Sequence, residues 1–128
     1  MSTTVAITGL KAYNDSIKHA VPQIVAELRR ALGAKLVAYI AGVAETRTVR
    51  EWAETDRRPS PSAVERLRLT LRVVTLISQS EGAAVVPTWF QGMNPHLGER
   101  SPARVLHEDP FDEAGPCVLA AANAFVSA

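Results

Sequence analysis

A single cysteine, Cys117, stands in the whole chain. No intramolecular disulfide can form, and a reducing cytoplasm is the expected compartment. No apolar run approaches the roughly 18 residues that a membrane-spanning helix needs, so no membrane partner is expected. The opening stretch MSTTVAITGL has no basic segment followed by an apolar one, which speaks against a secretory signal. Alternating strand patterns joined by a hairpin turn, internal repeats and low-complexity tracts are all missing. Chemistry is thinly represented too. His19, His96, His107 and Cys117 sit at no metal-ligand spacing such as His-x-x-x-His or Cys-x-x-Cys. There is no phosphate-cradling glycine loop and no nucleophile elbow. His96 and His107 read as exposed loop residues and Cys117 as a small buried one. The chain is therefore expected to be non-enzymatic, with no catalytic residue, no metal and no cofactor.

What is present is apolar content and uneven charge. Apolar residues make up 47% of 128, enough for a real core. Residues 1–80 carry twelve Lys and Arg against seven Asp and Glu, whereas residues 81–128 carry two against six. A basic front half suits a polyanion such as DNA, and the acidic rear half does not.

Hydrophobic spacing reads as helix throughout. Residues 1–15 lack periodicity and are expected to be a flexible arm. Val21, Ile24, Val25, Leu28 and Leu32 share one helical face, with Pro22 in the first turn and Gly33 at the end. A short helix over Ala34–Ala41 turns Leu36, Val37 and Ile40 inward and stops at Gly42. Another runs from Glu45 to Glu54 with Val49, Trp52 and Ala53 inward. Thr55 to Ser60 is a loop, because Pro59 and Pro61 oppose a continuing helix. Ser62 and Glu65 suggest a capping box for a long helix to about Ser80. Its stripe is Val64, Leu67, Leu71 and Val74, widened by Leu69, Val73, Leu76 and Ile77, so burial on more than one side is expected. Ala83 to Gln91 reads as a helix and Gly92 to Gly98 as turns. Ser101-Pro102 reads as the cap and first residue of a helix to about His107. Pro110 to Gly115 is expected to be an acidic loop, and Pro116 to open the terminal helix. The expected fold is all-α, a helix-turn-helix-like bundle over 16–80 followed by a small helical region over 81–128.

Helix, tight glycine turn and helix over residues 34–54 outline a helix-turn-helix. Ala38 would let the two helices approach, Gly42 would make the turn and Val43 would plug the core. The second helix would enter the major groove with Thr46, Arg47, Thr48 and Arg50 facing DNA, and Arg57 and Arg58 would grip phosphates. An ordinary helical hairpin with exposed arginines fits the same pattern, and Glu45, Glu51 and Glu54 dilute the positive field.

The stretch LGAKLVAYIAGVAETRTVREWAETDRRPSPSAVERLRLTLRVV resembles the helix-turn-helix region of Xre-type antitoxins, with one extra residue at the turn. WFQGMNPHLGERSPARVL, from Trp89 to Leu106, resembles the toxin-binding domain of the Xre/MbcA/ParS antitoxin family. Its recurring theme is met by Trp89, Phe90, Asn94, Leu97, Arg100, Ser101, Pro102 and Leu106, with Gly98-Glu99 where the family has two glycines. The likeness spans residues 83–127 and, with the upstream stretch, most of the chain. The resemblance implies a homodimeric antitoxin that binds operator DNA and occludes the NAD site of a RES-domain toxin, which is itself the NAD-consuming or ADP-ribosylating enzyme. Trp89, Asn94, Leu97, Arg100, Pro102, Glu108, Asp109, Asp112 and Glu113 are the candidate toxin-binding residues. Within that set, the exposed acids are the expected contacts, and Trp89, Asn94 and Arg100 lean toward structural roles. Two other readings stay open: a stand-alone helix-turn-helix regulator, and a protein-interaction adaptor that no longer touches DNA.

Overall fold

The computed structural model describes residues 20–128, so the expected arm over 1–15 and His19 lie outside the described residues. The fold over the described residues is all-α. Its helices are α1 (Val21–Leu32), α2 (Ala34–Ala41), α3 (Thr46–Ala53), α4 (Pro61–Glu81), α5 (Val85–Gln91), α6 (Pro102–Glu108) and α7 (Phe111–Ser127), with a 3₁₀ turn over Pro95–Leu97 between α5 and α6.

α1 forms where the periodicity predicts it. Ile24, Val25, Leu28 and Leu32 are buried, and Arg29 and Arg30 occupy the last turn, where positive charge complements the helix dipole. α4 is the central element. It packs against α1 and α2 on one side and α7 on another, with α5 at its end. Its fully buried residues are Ala63, Leu67, Thr70, Val73, Val74 and Ile77. Val64, Leu69, Leu71 and Leu76 are half-buried. The buried stripe is thus turned slightly from the expected one and takes in a polar residue. Thr70 is tolerated there because its hydroxyl donates to the Arg66 carbonyl at 2.6 Å.

Two expected boundaries are corrected. The cap of α4 is Ser60 rather than Ser62: its Oγ accepts the Ala63 N–H at 3.1 Å, and Pro61 fills the first helical position. Proline lacks only an N–H that is orphaned there in any case, so Pro61 starts this helix as readily as it ends another. Ser62 instead accepts from the Arg66 guanidinium through its hydroxyl and carbonyl. The second correction is at α7. Residues 111–115 are helix rather than loop, and Pro116 lies inside it. Pro110 provides the start, its carbonyl accepting from Glu113 at 3.0 Å and Ala114 at 2.8 Å. Asp112 and Glu113 fall in the first turn, where negative charge is favourable. The carbonyl that Pro116 leaves without an N–H donor belongs to exposed Asp112, which water can serve. As a result Cys117 is exposed and lies in the second turn, not buried at a helix start.

Burial of residues 114 and 115 explains why this helix starts early. A Cβ at Gly115 would lie 3.3 Å from Leu69 Cδ2 of α4 and 3.3 Å from Cζ of Phe111, one turn earlier in α7 itself. The missing side chain lets α7 approach α4 closely. One continuous core joins Ile24, Leu28, Ile40, Trp52, Leu67 and Ile77 with Phe90, Leu106, Val118 and Ala122, so residues 20–80 and 81–128 share a single interior.

Candidate functional site

The helix–turn–helix outline is built at Gly42. Its left-handed conformation (φ 82°, ψ 27°) ends α2, its N–H donates to the Tyr39 carbonyl at 3.2 Å, and the Val43 N–H donates to the Ala38 carbonyl at 3.0 Å. These two bonds make a Schellman motif, which satisfies carbonyls that a helix end otherwise leaves open. Val43 then packs against the core and Ala38 is buried, as the sequence suggests.

α3 packs on α1 and α2 through buried Val49 and Trp52. Its outer face carries Thr46, Arg47 and Arg50, all exposed, with Thr48 half-buried beside them. Arg57 and Arg58 follow in the exposed loop. Glu51 brings two of these together. Its Oε1 accepts from Arg47 Nε at 2.9 Å, and its Oε2 lies 3.6 Å from Arg57 Nη1. Arg50 and Arg58 make no ion pair among the described residues. The chain leaves α3 through Thr55, left-handed at φ 69°, with the Asp56 N–H closing onto the Glu51 carbonyl at 3.0 Å. A groove of about 770 Å³ lies beside this corner, lined by Pro22, Trp52, Arg57, Arg58, Pro61 and Val64 among others.

The second candidate surface is the α5–α6 segment. Asn94, only 8% exposed, organises it. Its backbone N–H donates to the Arg100 carbonyl at 3.1 Å, and its carbonyl accepts from Leu97 and Glu99 at 3.0 and 2.9 Å. Its side-chain oxygen accepts the His96 N–H at 2.9 Å. Ser101 caps α6 through the Arg104 N–H at 3.1 Å, as expected, and Pro102 is buried as its first residue. Leu97 is buried; Trp89 is half-buried, edge-on to Phe90 and 6.3 Å from the Phe125 ring. Asn94, Leu97 and Pro102 therefore shape the segment from inside.

Arg100 and Asp109 form a two-pronged ion pair at 2.9 and 2.8 Å, with Glu108 3.8 Å away and also paired to Arg104. The guanidinium beside Asp109 holds its carboxyl below the usual carboxylate range, and the Asp109 carboxylate in turn holds Arg100 above its ordinary value. Asp112 and Glu113 are exposed on the first turn of α7. Met93, 77% exposed at the tip between α5 and the 3₁₀ turn, is the most exposed large apolar side chain among the described residues.

Two features were beyond sequence reasoning. Arg66, counted there with the basic half, turns inward: Nε donates to the Leu106 carbonyl at 2.9 Å, Nη2 to the Asp109 carbonyl at 3.3 Å, and the guanidinium lies 5.9 Å from the Phe111 ring centre. His107, on α6 rather than in a loop, stacks on Tyr39 of α2 with centroids 4.0 Å apart, and its Nδ1 lies 2.6 Å from the Tyr39 carbonyl. Neither partner is within thirty-nine residues in sequence, so no local pattern signals the contact. No group of three His, Cys, Asp or Glu among the described residues could hold a metal ion, and no helix among them is long and apolar enough to cross a membrane.

No protein-family model, no curated protein and no solved structure matches the chain.

Proposed function

We propose that this chain is a cytoplasmic, non-enzymatic antitoxin: a homodimer that binds operator DNA through α3 and the following loop, and neutralises a RES-domain toxin through its C-terminal third. The observation that carries the reading is the outer face of α3. A helix anchored by Val49 and Trp52 on one side presents Thr46, Arg47 and Arg50 on the other, directly after a tight glycine turn. That is the arrangement in which a helix-turn-helix meets a major groove. Arg47 and Arg50 have donors suited to guanine edges, and Arg57 and Arg58, exposed in the loop after α3, have donors suited to phosphates.

The toxin-binding half rests on the resemblance of residues 89–106 to the Xre/MbcA/ParS theme. Exposed Met93, Asp112 and Glu113 supply an apolar tip and two acids not engaged in ion pairs among the described residues. The test is co-expression with the neighbouring open reading frame, scored by growth and co-purification, with a gel shift on the upstream region. Rescue of growth with a stable complex supports the antitoxin; a harmless neighbour that does not co-purify removes it.

A stand-alone regulator is the second reading, and the shared core favours it. The C-terminal helices cover α4 and α2, so they already have a structural task without any toxin. A promoter shift without a toxic neighbour would select this reading.

A further inference from the structure

We propose that Glu51 is a positioning residue that aims Arg47 and Arg57 at DNA, and that its negative charge therefore increases sequence selectivity. The proposal rests on the DNA-binding reading of α3 and goes further by assigning a role to a residue that reads, from charge alone, as an opponent of DNA.

A lone carboxylate on a reading helix repels phosphate. Glu51, however, is only about one-fifth exposed, whereas Arg47 and Arg57 are 73% and 60% exposed. Its two oxygens face the two arginines separately, Oε1 toward Arg47 and Oε2 toward Arg57. The Arg47 contact uses Nε, which is the inner edge of the guanidinium. The outer edge, with both Nη groups, keeps its donors in the fork geometry that matches guanine O6 and N7. The Glu51 backbone is fixed, because it lies one residue before buried Trp52 and its carbonyl accepts the Asp56 N–H that closes α3, and its side chain is only about one-fifth exposed. A long arginine otherwise loses rotamer freedom when it binds. Here that ordering is done before DNA arrives, across both the helix and the loop.

The expectation runs against simple Coulomb repulsion. Removing the charge with Glu51→Gln raises affinity for unrelated DNA, because one repulsive charge is gone. It lowers the selectivity for the correct site, because Arg47 and Arg57 lose their common anchor. Glu54 is the control: it is exposed at the end of the same helix and makes no ion pair among the described residues. Glu54→Gln removes the same charge and leaves the fork intact.

The experiment uses the full-length protein and two duplexes at one fixed salt concentration: the region directly upstream of its own gene, and a shuffled duplex of the same composition. The ratio of the two affinities is the readout, alongside the Arg47 Nε–H signal in NMR spectra without DNA. The expected result is a protected Nε–H in the wild type that is lost in Glu51→Gln. The affinity ratio should fall about 5-fold or more in that variant, a fraction of what a bidentate base contact is worth. It should stay unchanged in Glu54→Gln. Equal gains on both duplexes for both variants would overturn the proposal and leave Glu51 as a repulsive charge. A wild type that shows the protected signal but binds neither duplex would instead remove the DNA-binding reading, and the proposal with it.

Discussion

Replacing Arg66 should cost more stability than replacing Arg47, Arg57, Arg100 or Arg104. Its guanidinium reaches from α4 to the end of α6, where the Leu106 and Asp109 carbonyls would otherwise lack helix partners. Hydrogen bonds from a charged donor contribute about 1.5–3 kcal/mol net. The Leu106 bond, at 2.9 Å and partly buried, belongs in that range; the 3.3 Å bond to Asp109 is weaker, and the contact over Phe111 adds about 0.5 kcal/mol. Arg66→Ala should therefore cost about 2–3 kcal/mol by these values. With an unfolding entropy near 2.1 cal/mol/K per residue, the melting temperature should fall by about 8–12 °C. Arg66→Lys keeps the charge but not the fork, and should recover less than half of the loss. Arg72→Ala, exposed on the same helix, is the control and should shift the melt by no more than about 2 °C. The assay is thermal unfolding followed by circular dichroism, checked by calorimetry. If Arg66→Ala and Arg72→Ala melt within 2 °C of each other, by the same scale, the bridge contributes nothing and the reasoning fails.

Three further predictions rest on separate features. Thr55 and Glu99 have left-handed backbones at φ 69° and 65°, so Thr55→Gly and Glu99→Gly should each stabilise by about 0.5–1 kcal/mol once the entropy of the unfolded glycine is included; a lower melting temperature for either would count against it. Gly115→Leu should destabilise by about 1–3 kcal/mol, because even its Cβ would crowd Leu69 and Phe111 at 3.3 Å, and an unchanged melt would show that these side chains move aside freely. The Asp109 carboxyl is held below its ordinary value by Arg100, so its pairing stabilises the fold above the unfolded carboxyl pKa of about 3.9 and is lost as pH falls through the lower folded value. Asp109→Asn should then be less stable than the wild type at pH 5 to 7, with the gap narrowing below about pH 4; a gap of constant size down to the acid transition would refute the pairing.

Periodicity and punctuation carried most of the fold. Val21 through Leu32, the Gly42 turn and the Ser101-Pro102 start are local signals, and each lies where it was expected. The two misplaced helix starts share one cause. Proline blocks a helix interior and favours a helix start, and the sequence cannot say which applies at Pro61 or Pro116 until tertiary packing chooses. At α7 the residues concerned, Ala114 and Gly115, are buried inside the helix, and Gly115 lies against Leu69 of α4. The outward row of α3 was legible because Val49 and Trp52 fix which face is inside. Arg47 and Glu51 pair at helical i,i+4 spacing, although charge alone reads Glu51 only as diluting the positive field. Arg66 and the Tyr39–His107 stack join residues at least forty apart, and nothing in either neighbourhood marks them.

The single interior has a practical and an evolutionary consequence. Cutting the chain after residue 83 would remove α7 from one flank of α4, where Gly115 meets Leu69, and α6 from α2, where His107 stacks on Tyr39, baring both faces to water. A truncated product that fails to bind DNA or a partner would then report collapse, and not the location of a binding site. Point substitutions on the surface are the informative tools for dissecting this chain. By the same logic, a lineage could not trade one half for another by recombination at the α4–α5 junction, because each half would arrive with the wrong lining for its mate. The interior linings of the two halves must change in step, whereas the exposed faces above them are free to vary separately.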